Sequence, residues 1–294
     1  MANTYKYYRN IQDGNICLFH KKAISDVDCQ EMVVYQVLDR DNHYQVCPAT
    51  DFFNDNAFKK ITEDEALGII PIDLNPKYHF PELSYTNDVP PLVRPGGKFS
   101  KSVAGMITIM KNSKIVREDL FDRFETDDDI ERHIIEQVSV FNLQDDPLDL
   151  FHLIQGWGGI SGRMIYLHRD EWNPEKIRVA YKNLVETCKN VDTFTEDKIN
   201  SIIDAIILFD SQVRFMGVAF ITKHTRFWLS RPLGDDALPI YDSVMAKEVM
   251  GLNIPDVKSI KEYWMVMKSK ADRLGISLRA LERQIFKNAI DNPK

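Results

Sequence analysis

The chemistry this 294-residue chain can offer concentrates in one stretch, Phe215-Met-Gly-Val-Ala-Phe-Ile-Thr-Lys-His-Thr-Arg-Phe-Trp228. Gly217 stands between two helical patterns and suits the tight turn of a helical hairpin. Lys223 falls in the first turns of the helix that follows. Amides at a helix amino end attract phosphate. A lysine there, set among Val218, Phe220 and Phe227, is poorly hydrated as an ammonium ion, which lowers its pKa and favours the neutral, nucleophilic amine. Nineteen residues on, Leu238-Pro-Ile-Tyr-Asp242 brings a carboxylate to the start of another helix that ends at Gly251. Each residue also has a plainer reading: Lys223 as a surface lysine laying its stem on apolar neighbours, and Asp242 as an N-cap.

Other chemistries lack their residue patterns. The chain has no GxxxxGK[ST] phosphate loop, no HExxH, no GxSxG elbow and no CxxC pair. Asp127-Asp-Asp129 has neither the glycine nor the closing glutamate of a calcium loop and reads as the cap of a helix at Ile130. The seven histidines are scattered, so no metal or other cofactor is expected. Cys17, Cys29, Cys47 and Cys188 are expected to be reduced thiols of a cytoplasmic protein, because no basic-then-apolar export signal opens the chain. Glu282 and Phe286, four residues apart on a helical pattern, share a face. An ionised Glu282 only accepts hydrogen bonds. The alternative is a core Phe286 and a solvated Glu282. Trp157-Gly-Gly-Ile-Ser-Gly-Arg163 is a glycine-dense loop that either lets backbone approach a ligand or packs as a turn with Trp157 in the core.

Two kinds of sequence must position these groups. In the first 80 residues, short β-branched and aromatic segments alternate with turns: Asn15 to His20, Glu31 to Leu38, and Tyr44 to Cys47, the last two joined by a hairpin loop from Asp39 to His43. Pro48 to Phe53 reads as a turn into a closing strand or short helix. The expectation is a small β-barrel-like module. Pro71, Pro76, Pro81, Pro90, Pro91 and Pro95, followed by Gly96-Gly97, then interrupt regular structure. That places a linker and a domain boundary near residue 85, with a β module over 1–85 and a second domain over 86–294. From residue 98 the period is helical, as in Ile130, Ile134, Val138 and Phe141. Asn173-Pro174 and Thr195 open helices with good cap chemistry. The second domain is therefore expected to be all-α, with about eight or nine helices by rough count, and the whole chain α+β.

The composition, 44% hydrophobic and 28% charged, supports packed cores and excludes disorder. The most apolar stretch, Ile202 to Phe209, is short and broken by Asp204, so no membrane association is expected. The net charge of −7 hides an asymmetry: residues 1–90 and 91–210 each carry −6, whereas residues 211–294 carry +5. The last third thus permits a polyanionic partner without requiring one.

Gly217-Val-Ala-Phe-Ile-Thr-Lys-His-Thr-Arg-Phe followed by Leu238-Pro-Ile-Tyr-Asp-Ser-Val-Met-Ala resembles the helix-hairpin-helix DNA glycosylases, and most of all the prokaryotic proteins with the 8-oxoguanine DNA glycosylase fold. Trp157 to Arg163 and Leu278 to Phe286 resemble the same family, so the likeness covers roughly residues 98–294 and leaves the β module outside it. The chain departs from the family pattern in its hairpin, where Phe215 or Ala219 stands at the position of the usual second glycine. The first 80 residues resemble, more weakly, a small bacterial β module of unknown function, through Tyr5-Lys-Tyr-Tyr, Glu31-Met-Val-Val-Tyr-Gln and Phe52-Phe. The glycosylase resemblance implies Lys223 as the nucleophile that attacks the sugar of a damaged or modified nucleotide, with Asp242 supporting the step. It implies a base pocket from Glu282, Phe286 and Trp157. DNA contacts are then expected at Gly217, Val218, Arg163, Arg214, Arg226 and Lys247, with Arg231 a further candidate. The implied partner is double-stranded DNA carrying such a base, bound by a monomer, with β-elimination of the strand a further step open to a lysine nucleophile. Excision of hypermodified bases from phage DNA in antiviral defence, a non-catalytic DNA-binding module, and a protein-interaction factor acting through its amino-terminal module are the alternatives.

Overall fold

The structure, a computed structural model, describes residues 5–38, 43–54, 56–91 and 99–292. The chain divides into two compact units, Met1–Tyr78 and His79–Lys294. The sequence places this boundary near residue 85; the segment from His79 belongs instead with the helical unit, where the His79 N–H donates to the Val249 carbonyl and the Thr86 N–H to Gln284.

The first unit is a five-stranded antiparallel sheet of β1 (Lys6–Asn10), β2 (Ile16–Ile24), β3 (Glu31–Val37), β4 (Tyr44–Pro48) and β5 (Phe58–Ile61), in the order β4-β3-β2-β1-β5. Alternation sends Tyr8, Cys17, Val33 and Tyr35 to one face, where they pack with Phe52 and Phe58. Tyr7, Ile16 and Leu18 go to the other, with Ala66 and Ile70. Two short helices supply those partners: α1 (Ala49–Phe52) and, on the opposite face, α2 (Glu63–Leu67), which Thr62 and Glu65 close with a capping box. Among the described residues β4 and β5 form the two edges, so the module is an open sheet covered on both faces and not a barrel. The expected hairpin loop lies largely in residues 39–42, outside the described residues; the strands on either side of it pair from Gln36 opposite Tyr44.

The second unit is helical: α3 (Lys101–Ser113), α4 (Asp127–Val140), α5 (Leu148–Gly158), α6 (Met164–Leu167), α7 (Pro174–Lys189), α8 (Glu196–Gln212), α9 (Gly217–Leu233), α10 (Ser243–Met250), α11 (Ile260–Leu274) and α12 (Leu278–Asp291). No strand occurs there among the described residues. Side-chain caps set the starts: Thr126 with Asp129 for α4, Asn173 ahead of Pro174 for α7, Thr195 for α8, Asp242 for α10 and Ser277 for α12. The cap of α4 is thus Thr126, with the aspartate triplet forming its first turn. Helix α9 is the centre, packed against α4, α5, α7 and α8, and its residues Phe220 to Leu229 are all buried. All four cysteines are free thiols. Among the described residues no helix is long and apolar enough to cross a membrane.

Candidate active site

Between α8 and α9 the backbone turns through two left-handed residues, Phe215 (φ 67°) and Gly217 (φ 66°). Glycine takes that conformation at no steric cost. Phenylalanine does not, and its exposed ring stacks on His168 at 4.6 Å. Gly217 is itself exposed, and a side chain there would meet nothing within 4 Å. Two turns further along α9, Lys223 is 9% exposed. Its Nζ donates to the Gly158 carbonyl at 3.3 Å and lies 4.4 Å from the centre of the Phe220 ring. Burial holds the amine below the usual lysine range, with Asp242 and Glu282 opposing the shift through their charge.

Asp242 is presented by a strap, Ala237 to Tyr241, whose backbone polar groups are held by side chains from three helices. Tyr263 Oη and Trp264 Nε1 of α11 donate to the carbonyls of Ile240 and Pro239. The N–H of Ile240 donates to Glu282 of α12 at 2.6 Å, and that of Tyr241 to Thr222 Oγ1 of α9 at 3.0 Å. The Tyr241 ring stacks on Tyr263 at 4.4 Å. At the end of this strap one carboxylate oxygen of Asp242 accepts from the N–H groups of Val244 and Met245, each at 3.0 Å. Both sequence readings of Asp242 therefore coexist, since the N-cap is real and leaves the other oxygen without a hydrogen bond among the described residues. Thr222, one residue before the lysine, ties the strap of the acid to the helix of the amine.

Lys223 and Asp242 line one cavity of about 260 Å³, together with Trp157, Glu282, Arg283 and Phe286. No ion pair joins the lysine to the aspartate among the described residues. Phe286 is half-buried and no aromatic ring pairs with it there, so its face is available for stacking. Glu282 differs from the expectation of an acid reading a base edge. It is 4% exposed, and while one oxygen takes the Ile240 N–H, the other takes Arg226 Nε at 3.1 Å. Burial pushes its carboxyl up, against the charge of Arg226. Arg226 likewise is not a surface phosphate contact: it is 3% exposed and paired inside the domain.

The glycine-dense loop owes its composition to packing. A Cβ on Gly158 would meet the Phe220 ring at 2.4 Å, one on Gly162 the same ring at 2.6 Å, and one on Gly159 the Ser102 hydroxyl at 2.3 Å. The loop thus seats against the residue under the lysine and presents the carbonyl that takes its hydrogen bond. Trp157 is 9% exposed and packs edge-on against Phe227 at 4.9 Å. Arg163 is exposed and reaches only the Ile160 carbonyl. Lys247 is exposed on α10, and Val218 is half-buried beside Gly217. Arg214 is exposed, pairs with Glu171 and lines a separate cleft with His168 and Phe215. Arg231 spends a bond on the Phe141 carbonyl at 2.8 Å.

Three residues around the site carry no signal in the sequence. Thr222 is one. The others, His224 and Gln155, form a buried network under Lys223, in which His224 Nδ1 meets Tyr181 Oη at 3.0 Å and Nε2 meets Gln155 Nε2 at 3.2 Å. Burial, reinforced by Lys223, holds His224 down at about 3, so it stays neutral beside the amine. Comparison with known proteins adds no template for this arrangement: no protein-family model, curated protein or solved structure matches the chain.

Proposed function

We propose that the helical unit is a helix-hairpin-helix DNA glycosylase that rotates a damaged or modified base out of duplex DNA and releases it with Lys223 as nucleophile. The observation that carries this reading is a buried lysine amine lining the same cavity as an N-cap aspartate, on the helix that begins at an exposed left-handed glycine. A base inside the duplex cannot be attacked at its sugar, so the target is extruded first. The exposed amides at Gly217 suit a backbone phosphate, and Arg163, Arg214 and Lys247 are exposed cations for further phosphates. Lys223 as neutral amine forms a bond to C1′ while the glycosidic C–N bond breaks, and the electron pair leaves with the base. The amine then gives up its proton as the sugar ring opens, and the product is an imine. Asp242 faces the same cavity, where a carboxylate stabilises positive charge on the sugar more strongly than in water. Phe286 offers a stacking face for the extruded ring. A non-catalytic module would have no use for the free-energy cost of burying an ammonium group.

The test is a panel of duplex oligonucleotides, each with a single damaged or modified base, incubated with the protein and borohydride. Hydride reduces the imine to a secondary amine and leaves a permanent protein–DNA adduct. Lys223→Gln is expected to abolish it. An adduct undiminished in that variant, or none on any duplex of the panel, refutes the reading.

A further inference from the structure

The chemistry of the pocket wall specifies what its occupant must carry, and this step rests on the glycosylase reading above. Trp157 and Arg283 line the cavity at 9% and 6% exposure. Among the described residues, Trp157 Nε1 and Arg283 Nη1 are buried without a hydrogen-bond partner. Arg283 uses its other terminal nitrogen on the buried Glu131, so its guanidinium is fixed in place with one arm unspent. An indole N–H and a guanidinium donate and never accept. Buried donors are nearly always satisfied, and an unmade bond at a charged one is the costlier case. The acid that would have read N–H groups on a base, Glu282, has both oxygens engaged by Ile240 and Arg226.

We infer that the cavity selects an extruded base through the hydrogen-bond acceptors on its edge, with Trp157 Nε1–H and Arg283 Nη1–H as the specificity-determining donors and a carbonyl-bearing base as the substrate class. A base with an exocyclic amine in that place would set donor against donor and leave both protein groups unpaired. Phe286 holds the ring by its face, which every base has, and so contributes affinity without choice.

The experiment compares free hypoxanthine with free purine, which differ by the carbonyl at C6, as ligands of the intact protein. The chain has four tryptophans, so the indole ¹H–¹⁵N spectrum has four side-chain signals, and Trp157→Phe identifies one of them. Hypoxanthine is expected to bind at least about tenfold more tightly than purine, one charge-assisted bond being worth that ratio or more, and to move the Trp157 signal downfield. Trp157→Phe and Arg283→Lys should each bring the ratio of the two affinities toward one. The lysine keeps a charge opposite Glu131, so that variant retains its fold, which thermal melting checks. Equal binding of the two bases, binding with the Trp157 signal unmoved, no saturable binding of hypoxanthine, or ratios unchanged in both variants overturns the inference. Because no bond is broken in this measurement, it fails separately from the function itself. Adduct formation on some duplex with no carbonyl preference sinks only the inference, whereas carbonyl preference without any adduct sinks the glycosylase.

Discussion

Replacing Glu282 by alanine removes two buried interactions at once. Arg226, 3% exposed, loses the carboxylate that accepts from its Nε at 3.1 Å, and the Ile240 N–H loses an acceptor at 2.6 Å. Breaking a buried pair from one side costs about 3–5 kcal/mol, because the remaining charge is left without compensation. The orphaned N–H adds up to about 1–3 kcal/mol where no water enters. In a domain of this size each kcal/mol moves the melting temperature by about 2–4 °C, so a fall on the order of 6–20 °C is expected. Glu282→Gln retains an oxygen for Ile240 and loses only the charge opposite Arg226, which places it lower, at about 1.5–3 kcal/mol. The decisive assay is a double-mutant cycle of Arg226→Met and Glu282→Met followed by urea unfolding. Removing both charges should recover most of what either single change loses, since buried pairs exchange for apolar groups at little net cost. A loss below about 1 kcal/mol for the alanine variant, or a coupling energy near zero, would refute the strut role.

Three further outcomes follow from the same geometry. Lys223→Met should raise stability near neutral pH. The buried amine has a lowered pKa, so its favourable contribution is present only above the unfolded value of 10.5 and is lost as pH falls through the folded value. The advantage of methionine should therefore grow as pH falls through that window, by about 1.4 kcal/mol for each pH unit crossed, and then level off; a difference constant with pH in urea titrations would contradict the burial. Asp242→Asn keeps an N-cap oxygen for Val244 and Met245, so its melting temperature should match the parent while borohydride trapping slows by roughly a hundredfold. Gly217→Ala meets no atom within 4 Å yet places a side chain at φ 66°, so it should cost about 1–2 kcal/mol and weaken duplex binding, and unchanged values in both melts and gel shifts would count against the turn.

What the sequence makes legible is local. Caps at Asn173, Thr195 and Asp242 mark helix starts through a side chain and an amide two or three residues apart, and such pairs are written in adjacent letters. Strands β1 and β5 escape a reading of the sequence, because five and four residues carry too little alternation to stand apart from neighbouring turns. The pairing of Arg226 with Glu282 joins positions 56 apart, and that of Thr222 with the Tyr241 N–H joins positions 19 apart. No spacing rule reaches across such distances. The glycines of Trp157 to Arg163 are legible as a demand for close approach. What approaches them, the Phe220 ring and Ser102, depends on how α3, α5 and α9 converge.

Thr222 to Arg226 is a run of five polar residues that, on periodicity, belongs on a wet face, yet all five are buried in the central helix. Four have their polar groups matched inside the protein: Thr222 and Thr225 donate back to α9 carbonyls, His224 joins Tyr181 and Gln155, and Arg226 takes Glu282. Lys223 is the exception, with a single bond at 3.3 Å to a carbonyl and no ion pair, facing an open cavity. An aliphatic side chain would fit that site with less strain on the fold, as would a glutamine that could reach the same carbonyl. The bonds of its four neighbours fix the backbone and the strap around the one amine that burial leaves short of partners. That distribution is expected where stability is traded for a nucleophile, because an amine fully paired to a carboxylate would stay protonated and inert. It also explains why Asp242 is held at longer range: near enough to act on a charged sugar in the cavity, and kept by two backbone N–H bonds from closing onto the lysine.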